Sequence, residues 1–235
     1  MIVLFAPAKT FRDINATIDK TLLFDEKTKE LINNLKKWDY EMFKKSFNIS
    51  DEITKEVVSY YQDFDNNPSF LAFDFFYGQS FQSFDFDSLD KENYSFLNSN
   101  VFIIDALYGI IKPLDPIRKY RLDFHTKNLS LKSFWKEEVN TFFKQYFTQE
   151  ILSLSSKEFT SLLDKSLNVV DVSFFDYIDN SYKQISVFNK QMRGKLLRYI
   201  VDNKIESISD LPRIINYYEV SEEKSTNRSI VYVRK

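Results

Sequence analysis

MIVLFAPAKT, residues 1–10, decides the fold: five apolar residues, Ile2 to Ala6, run without a polar interruption into Pro7. A run this short and this continuously apolar is the pattern of a strand buried on both faces, and Pro7 cannot continue the hydrogen-bond ladder. Short apolar, β-branched runs bounded by polar or turn residues recur at VFIID (101–105), LNVVDVSFF (167–175), QISVF (184–188) and SIVYV (229–233), and each reads as a strand. Helical patterns lie between them. KTKELINNLKK (27–37) is amphipathic, and SDEITKEVVSYY (50–61) opens on Ser50 as an N-cap. SFWKEEVNTFFKQYFTQEIL (133–152) sets Trp135, Val139, Phe142, Phe143, Tyr146, Phe147 and Ile151 on one helical stripe. SSKEF (155–159) spaces Ser155 and Glu158 as a capping box, and NKQMRGKLLRYIVDN (189–203) repeats Met192, Leu196, Tyr199 and Ile200 at helical spacing. Residues 62–90 are aromatic and acidic without a clear period. This alternation predicts an α/β fold, a single compact domain over residues 1–235 with a mostly buried mixed sheet flanked by helices.

Only eight residues are Pro or Gly, which leaves little room for flexible linkers. The 24 Phe and 14 Tyr suit base-stacking platforms, but AT-rich coding favours the same residues, so the count alone does not discriminate. The formal charge of −2 gives the whole chain no pull toward nucleic acid or anionic membrane. Its distribution is uneven: residues 62–95 hold seven acids and one Lys, whereas 112–136 and 183–204 each carry a surplus of five cations. Any basic face is built from those two segments. The absence of cysteine excludes disulfides, zinc–thiolate sites, iron–sulfur clusters and thiol redox sensing. The first apolar run is too short for a signal peptide or a membrane span, so a cytoplasmic location without a membrane partner is expected. The sequence specifies no oligomeric state.

Many enzyme templates fail at once. A single histidine, His125, in the polar stretch DFHTKN, rules out a multi-histidine metal centre and reads as a surface residue. Three glycines cannot build a Walker A, GxGxxG or GxSxG loop, and no cofactor motif is present. Three cationic groups remain. PAKT (7–10) follows the first strand, where α/β sheets place ligands, so Lys9 and Thr10 are positioned either to meet an anion or simply to start a helix. ALYGIIKPLDPIRKYRLDF (106–124) follows the strand at 101–105. Gly109 allows a tight turn, while Pro113 and Pro116 stiffen the backbone that carries Lys112, Arg118, Lys119 and Arg121. Asp115 is spaced to orient one of the arginines, either in a display of cations or in a purely structural Arg–Asp network. Cations ordered in this way lose little entropy on meeting an anion. KQMRGKLLR (190–198) brings Lys190, Arg193, Lys195 and Arg198, with Gly194 inside the helix as a mark of close approach by a backbone or a ligand.

PAKT, ALYGIIKPLDPIRKYRL (106–122), SFW (133–135), SSKEF and MRGKLLRYI (192–200) occur in that order, and together they resemble the YaaA family of bacterial peroxide stress resistance proteins. The resemblance runs from residue 2 to the last strand. It implies a compact α/β fold with a positively charged cleft, a cytosolic role in protecting the cell and its DNA during hydrogen peroxide stress, lower free iron, and DNA binding. By the same resemblance Lys9, Lys112, Arg118, Arg121, Lys190, Arg193 and Arg198 belong to the cleft, with Asp115, Tyr108, Tyr120, Trp135, Ser156 and Glu158 in support. This chain has Lys112 where the family commonly has Arg, Ser153 for Asn, Phe159 for Tyr and Gln191 for Lys. The family's helix-hairpin-helix element corresponds to residues 30–65, which contain no glycine here.

Two functions stand against each other at this level. One is a stress protein that holds double-stranded DNA nonspecifically and in a salt-sensitive manner. The other is an enzyme for a small phosphorylated, nucleotide-like metabolite, with Lys9, Arg121, Glu158 and Arg193 in one pocket and Lys9, Asp115 or Glu158 as the reacting groups. Iron chelation would have to rest on carboxylates alone, so no metal site is expected.

Overall fold

In the computed structural model, which describes residues 1–14, 22, 24–146 and 148–235, the first strand forms as its apolar run dictates. β1 (Ile2–Phe5) is buried at every position. A helical region follows, with α1 (Asp25–Leu35), α2 (Tyr40–Phe47) and α3 (Asp51–Gln62). Ser50 caps α3, its side chain accepting from the Ile53 amide at 3.4 Å. The glycine-free turn between α2 and α3 is closed by Asn48 in the left-handed region (φ 52°), a conformation that Asn tolerates.

The aperiodic stretch then resolves into β2 (Ser69–Leu71), α4 (Ala72–Phe75) and α5 (Gln79–Phe84), followed by α6 (Tyr94–Asn100). Its aromatics are core residues: Phe81 lies 5.2 Å from Phe5, 5.1 Å from Phe73 and 5.0 Å from Phe76, centroid to centroid. Next come β3 (Val101–Asp105), β4 (Gly109–Ile111), β5 (Pro116–Arg118), α7 (Leu131–Lys144), β6 (Ile151–Ser153) and α8 (Lys157–Thr160). The chain finishes with β7 (Val169–Ile178), β8 (Ser181–Lys183), α9 (Ser186–Asp202), β9 (Ile214–Ile215), β10 (Tyr218–Val220) and β11 (Ser229–Arg234).

Nine strands form one mixed sheet in the order β4-β3-β1-β6-β7-β11-β10-β9, with β8 paired to β7. The central strands β3, β1, β6, β7 and β11 run parallel, and Val3 lies between Val101 and Leu152. β1, β3 and β6 are buried throughout, whereas β7 alternates buried and half-buried residues. The middle of the sheet is therefore covered on both faces and its far side on one. β2 and β5 make a separate antiparallel pair.

Three expectations fail locally. The stripe read through 133–152 ends at Lys144, and Ile151 belongs to the central strand β6. Ile151 falls in helical phase with Phe143 by spacing alone, and neither Gly nor Pro marks the break; Phe147 lies outside the described residues. QISVF is no strand, because α9 starts at Ser186 and leaves Val187 and Phe188 exposed. A five-residue apolar run cannot separate the two states. The Ser155–Glu158 capping box does not form either. Ser156 occupies the cap position, and the Ser155 hydroxyl is buried 3.1 Å from that of Ser153.

Candidate functional site

β1 ends at Phe5 and the chain runs on through residues 6–10, while its neighbour β6 ends at Ser153 and continues through 154–159. The chain leaves β1 for β3 on one side and returns from β3 to β6 on the other, so the crevice between these loops is a topological switch point. A cleft of about 770 Å³ opens there, lined by residues 6–10 and 77–82 and by Ser156, Glu158, Phe159, Lys190 and Arg193. A recess of about 40 Å³ shares residues 7–9, Glu158 and Phe159 with it and reaches Ala106 and residues 120–123. Lys9, Thr10, Glu158, Lys190 and Arg193 thus stand in one cleft, and Arg121 stands in the recess that adjoins it.

Their electrostatic states differ. Lys9 Nζ donates to Asp123 Oδ2 at 2.8 Å, so this cation is already paired. Burial raises the Asp123 carboxyl, but the Lys9 hydrogen bond and charge and the His125 amide carry it below the usual carboxylate range. Arg193 is the opposite case. Its Nε is buried and makes no hydrogen bond among the described residues. Burial lowers its pKa, and the charge of Asp171 only partly opposes that. A guanidinium stays protonated, so this half-buried cation is left with one buried donor unused.

Three of the expected cations are employed elsewhere. Lys112 Nζ lies 5.8 Å from the centre of the Phe102 ring, off the cleft. Arg118 Nε donates to the Asn67 carbonyl at 2.7 Å, holding the loop before β2. Arg198 donates to the carbonyls of Asp85 (2.9 Å) and Ser88 (3.0 Å), to Ser88 Oγ (2.7 Å) and to Asp202 (2.7 Å). It pins the segment after α5 to α9. Arg198→Ala is expected to cost about 2 kcal/mol of stability, as hydrogen bonds to charged groups do, with the contacts around Arg193 left in place. Paired urea titrations check this.

Asp115 is not a cleft group. It is buried in the turn between β4 and β5, its Oδ2 accepting from the Lys112 amide at 2.8 Å. The prolines flank this turn, and of the cations that follow them, Arg118, Lys119 and Arg121, only Arg121 lines the recess. Gly109 adopts φ +73° beneath the Trp135 ring, and Trp135 Nε1 donates to the Ala106 carbonyl at 2.9 Å. Asp105 accepts from the Leu107 and Tyr108 amides at 2.8 and 2.9 Å and from the Tyr120 hydroxyl. Burial pushes the Asp105 carboxyl up against those bonds. Tyr108 hydroxyl accepts from the Arg118 amide at 2.9 Å. Tyr120 and Ser156 therefore line the site, whereas Tyr108, Gly109, Trp135 and Gly194 frame it.

Asp123, Tyr77 and Gln79 were not singled out by the sequence. Gln79 Oε1 accepts from Gln191 at 3.0 Å, joining α5 to α9 beside the cleft. Of these residues only the Gln79 region carried a signal, Gly78, in an otherwise aperiodic stretch. Among the described residues no cluster of acids and histidine has metal-binding geometry, and no helix is long and apolar enough to cross a membrane.

Fold and cleft together define an α/β protein with a crevice at the winding reversal. A family model described as peroxide stress protein YaaA matches residues 1–224, and the chain belongs to that family. It is 32% identical to a UPF0246 protein of Finegoldia magna over 100% of this chain and 98% of that one. It is 28% identical to a UPF0246 protein of Fusobacterium nucleatum, with 100% and 99% covered, and 29% identical to one of Francisella tularensis subsp. mediasiatica, with both chains covered in full.

Proposed function

We propose that the protein serves in the response to peroxide stress by binding a phosphate-bearing ligand of nucleotide size in the cleft between the β1 and β6 loops. The observation that carries this reading is Arg193, a half-buried residue in the wall of that cleft whose guanidinium Nε is buried and without a hydrogen-bond partner among the described residues. A volume of about 770 Å³ suits a small molecule rather than a duplex. The formal charge of −2, the neutralisation of Lys9 by Asp123 and the internal bonds of Arg118 and Arg198 all weigh against a broad DNA-binding face. Chemistry on the bound ligand would draw on Lys9, Asp123 and Glu158, which meet where cleft and recess join.

Calorimetric titration with inorganic phosphate, nucleoside monophosphates and a short DNA duplex, each at low and high salt, tests the proposal. Small phosphates are expected to bind, and Arg193→Ala to weaken them at least about tenfold through loss of a charge-assisted contact. Binding of the duplex alone, with steep salt dependence, would replace this reading with the DNA one.

A further inference from the structure

Two buried polar atoms in the cleft lack a hydrogen-bond partner among the described residues, and they are of opposite kind: Arg193 Nε donates and Glu158 Oε1 accepts. His125 Nε2 lies 3.9 Å from Glu158 Oε1, beyond hydrogen-bond reach. Local folding does not account for this acceptor, since α8 is capped at Ser156 without a side-chain bond and Glu158 is free of the capping role. Native proteins keep few buried acceptors without a donor, because such a group loses its hydration and gains nothing in return. A fully ionised phosphoryl group brings acceptors and satisfies Arg193 only; Glu158 requires a donor, supplied by the P–OH of hydrogenphosphate or by an N–H or O–H of a larger ligand.

A third feature narrows the ligand. Tyr77 lines the same cleft and is 47% exposed, although its backbone is fixed. Its amide donates to the Thr10 carbonyl at 2.8 Å, and its own carbonyl accepts from Thr10 Oγ1 at 2.9 Å and Gln82 Nε2 at 3.1 Å. An exposed aromatic on a rigid backbone is a stacking surface for a planar base.

We infer that the ligand is a nucleoside phosphate, held by its phosphate at Arg193 and Lys190, by an N–H or O–H of its nucleoside part at Glu158, and by its base against Tyr77. This rests on the anion reading of the cleft and adds the part of the ligand beyond the phosphate.

The test is calorimetric titration of the full chain with the four ribonucleoside 5′-monophosphates, ribose 5-phosphate and inorganic phosphate. In the wild type one nucleotide is expected to exceed inorganic phosphate by at least about tenfold in affinity. Glu158→Ala and, separately, Tyr77→Ala lose most of that excess, and Tyr77→Ala holds inorganic phosphate within about threefold of wild type. Tyr77 is exposed, so its variant keeps the test alive should Glu158→Ala fail to fold. Nucleotide binding unchanged in both variants, or an excess fully reproduced by ribose 5-phosphate, overturns the inference while the loss in Arg193→Ala leaves the anion site standing. Failure of every anion to bind the wild type overturns both.

Discussion

Gly194→Ala is expected to destabilise the protein by about 2–3 kcal/mol, an overpacking cost that outweighs the roughly 1 kcal/mol by which Ala is the better helix former. A Cβ at position 194 would overlap the carbonyl oxygen of Ser80 and reach Ser83, both from α5. The obstacle is backbone, which cannot rotate aside as a side chain does, so α9 must move away from α5. Arg193 is the adjacent residue, and the Gln191–Gln79 hydrogen bond crosses the same contact. The substitution is therefore expected to lower the urea midpoint and to weaken phosphate binding together. A variant as stable as wild type would mean that α5 and α9 do not meet as described.

Trp135→Ala carries the largest stability effect, a loss of about 3–5 kcal/mol, as for other fully buried large side chains. Two losses combine. The cavity beneath Gly109 and Phe24 is left empty, and the Ala106 carbonyl at the end of β3 loses the indole donor. Trp135→Phe fills most of the space without restoring the donor, and is expected to recover more than half of the stability. Chemical denaturation of the three proteins measures both parts. Near-equal stability of the Trp and Ala proteins would contradict this packing.

The core was easier to read from the sequence than the site. β1 and β3 announce themselves because strands buried in a parallel sheet are short apolar runs, β7 and β11 through their β-branched and aromatic residues, and Ser50 announces α3 because a cap needs a side-chain acceptor. β6 is hidden: three residues continue the phase of the helix before them, and only tertiary pairing with β1 and β7 makes them a strand. For the cleft, position in the chain was a better guide than charge to which residues stand together. Lys9 and Thr10 follow a strand at the winding reversal and do line the cleft. Arg118 and Arg198 look alike to Arg193 in sequence, yet nearby carbonyls consume their donors and none consumes Arg193 Nε. Gly194 gave the better signal, since a glycine within a helix has few reasons other than close approach. Asp123 was invisible because its partner, Lys9, lies 114 residues away.

The most direct measurement is an X-ray structure of crystals soaked in tungstate, a heavy analogue of phosphate, with anomalous scattering locating the metal. The predicted result is a peak in the cleft between the β1 and β6 loops, with tungstate oxygens within hydrogen-bond distance of the Arg193 guanidinium. Tungstate bound only at exposed lysines, with Arg193 untouched, would contradict the account.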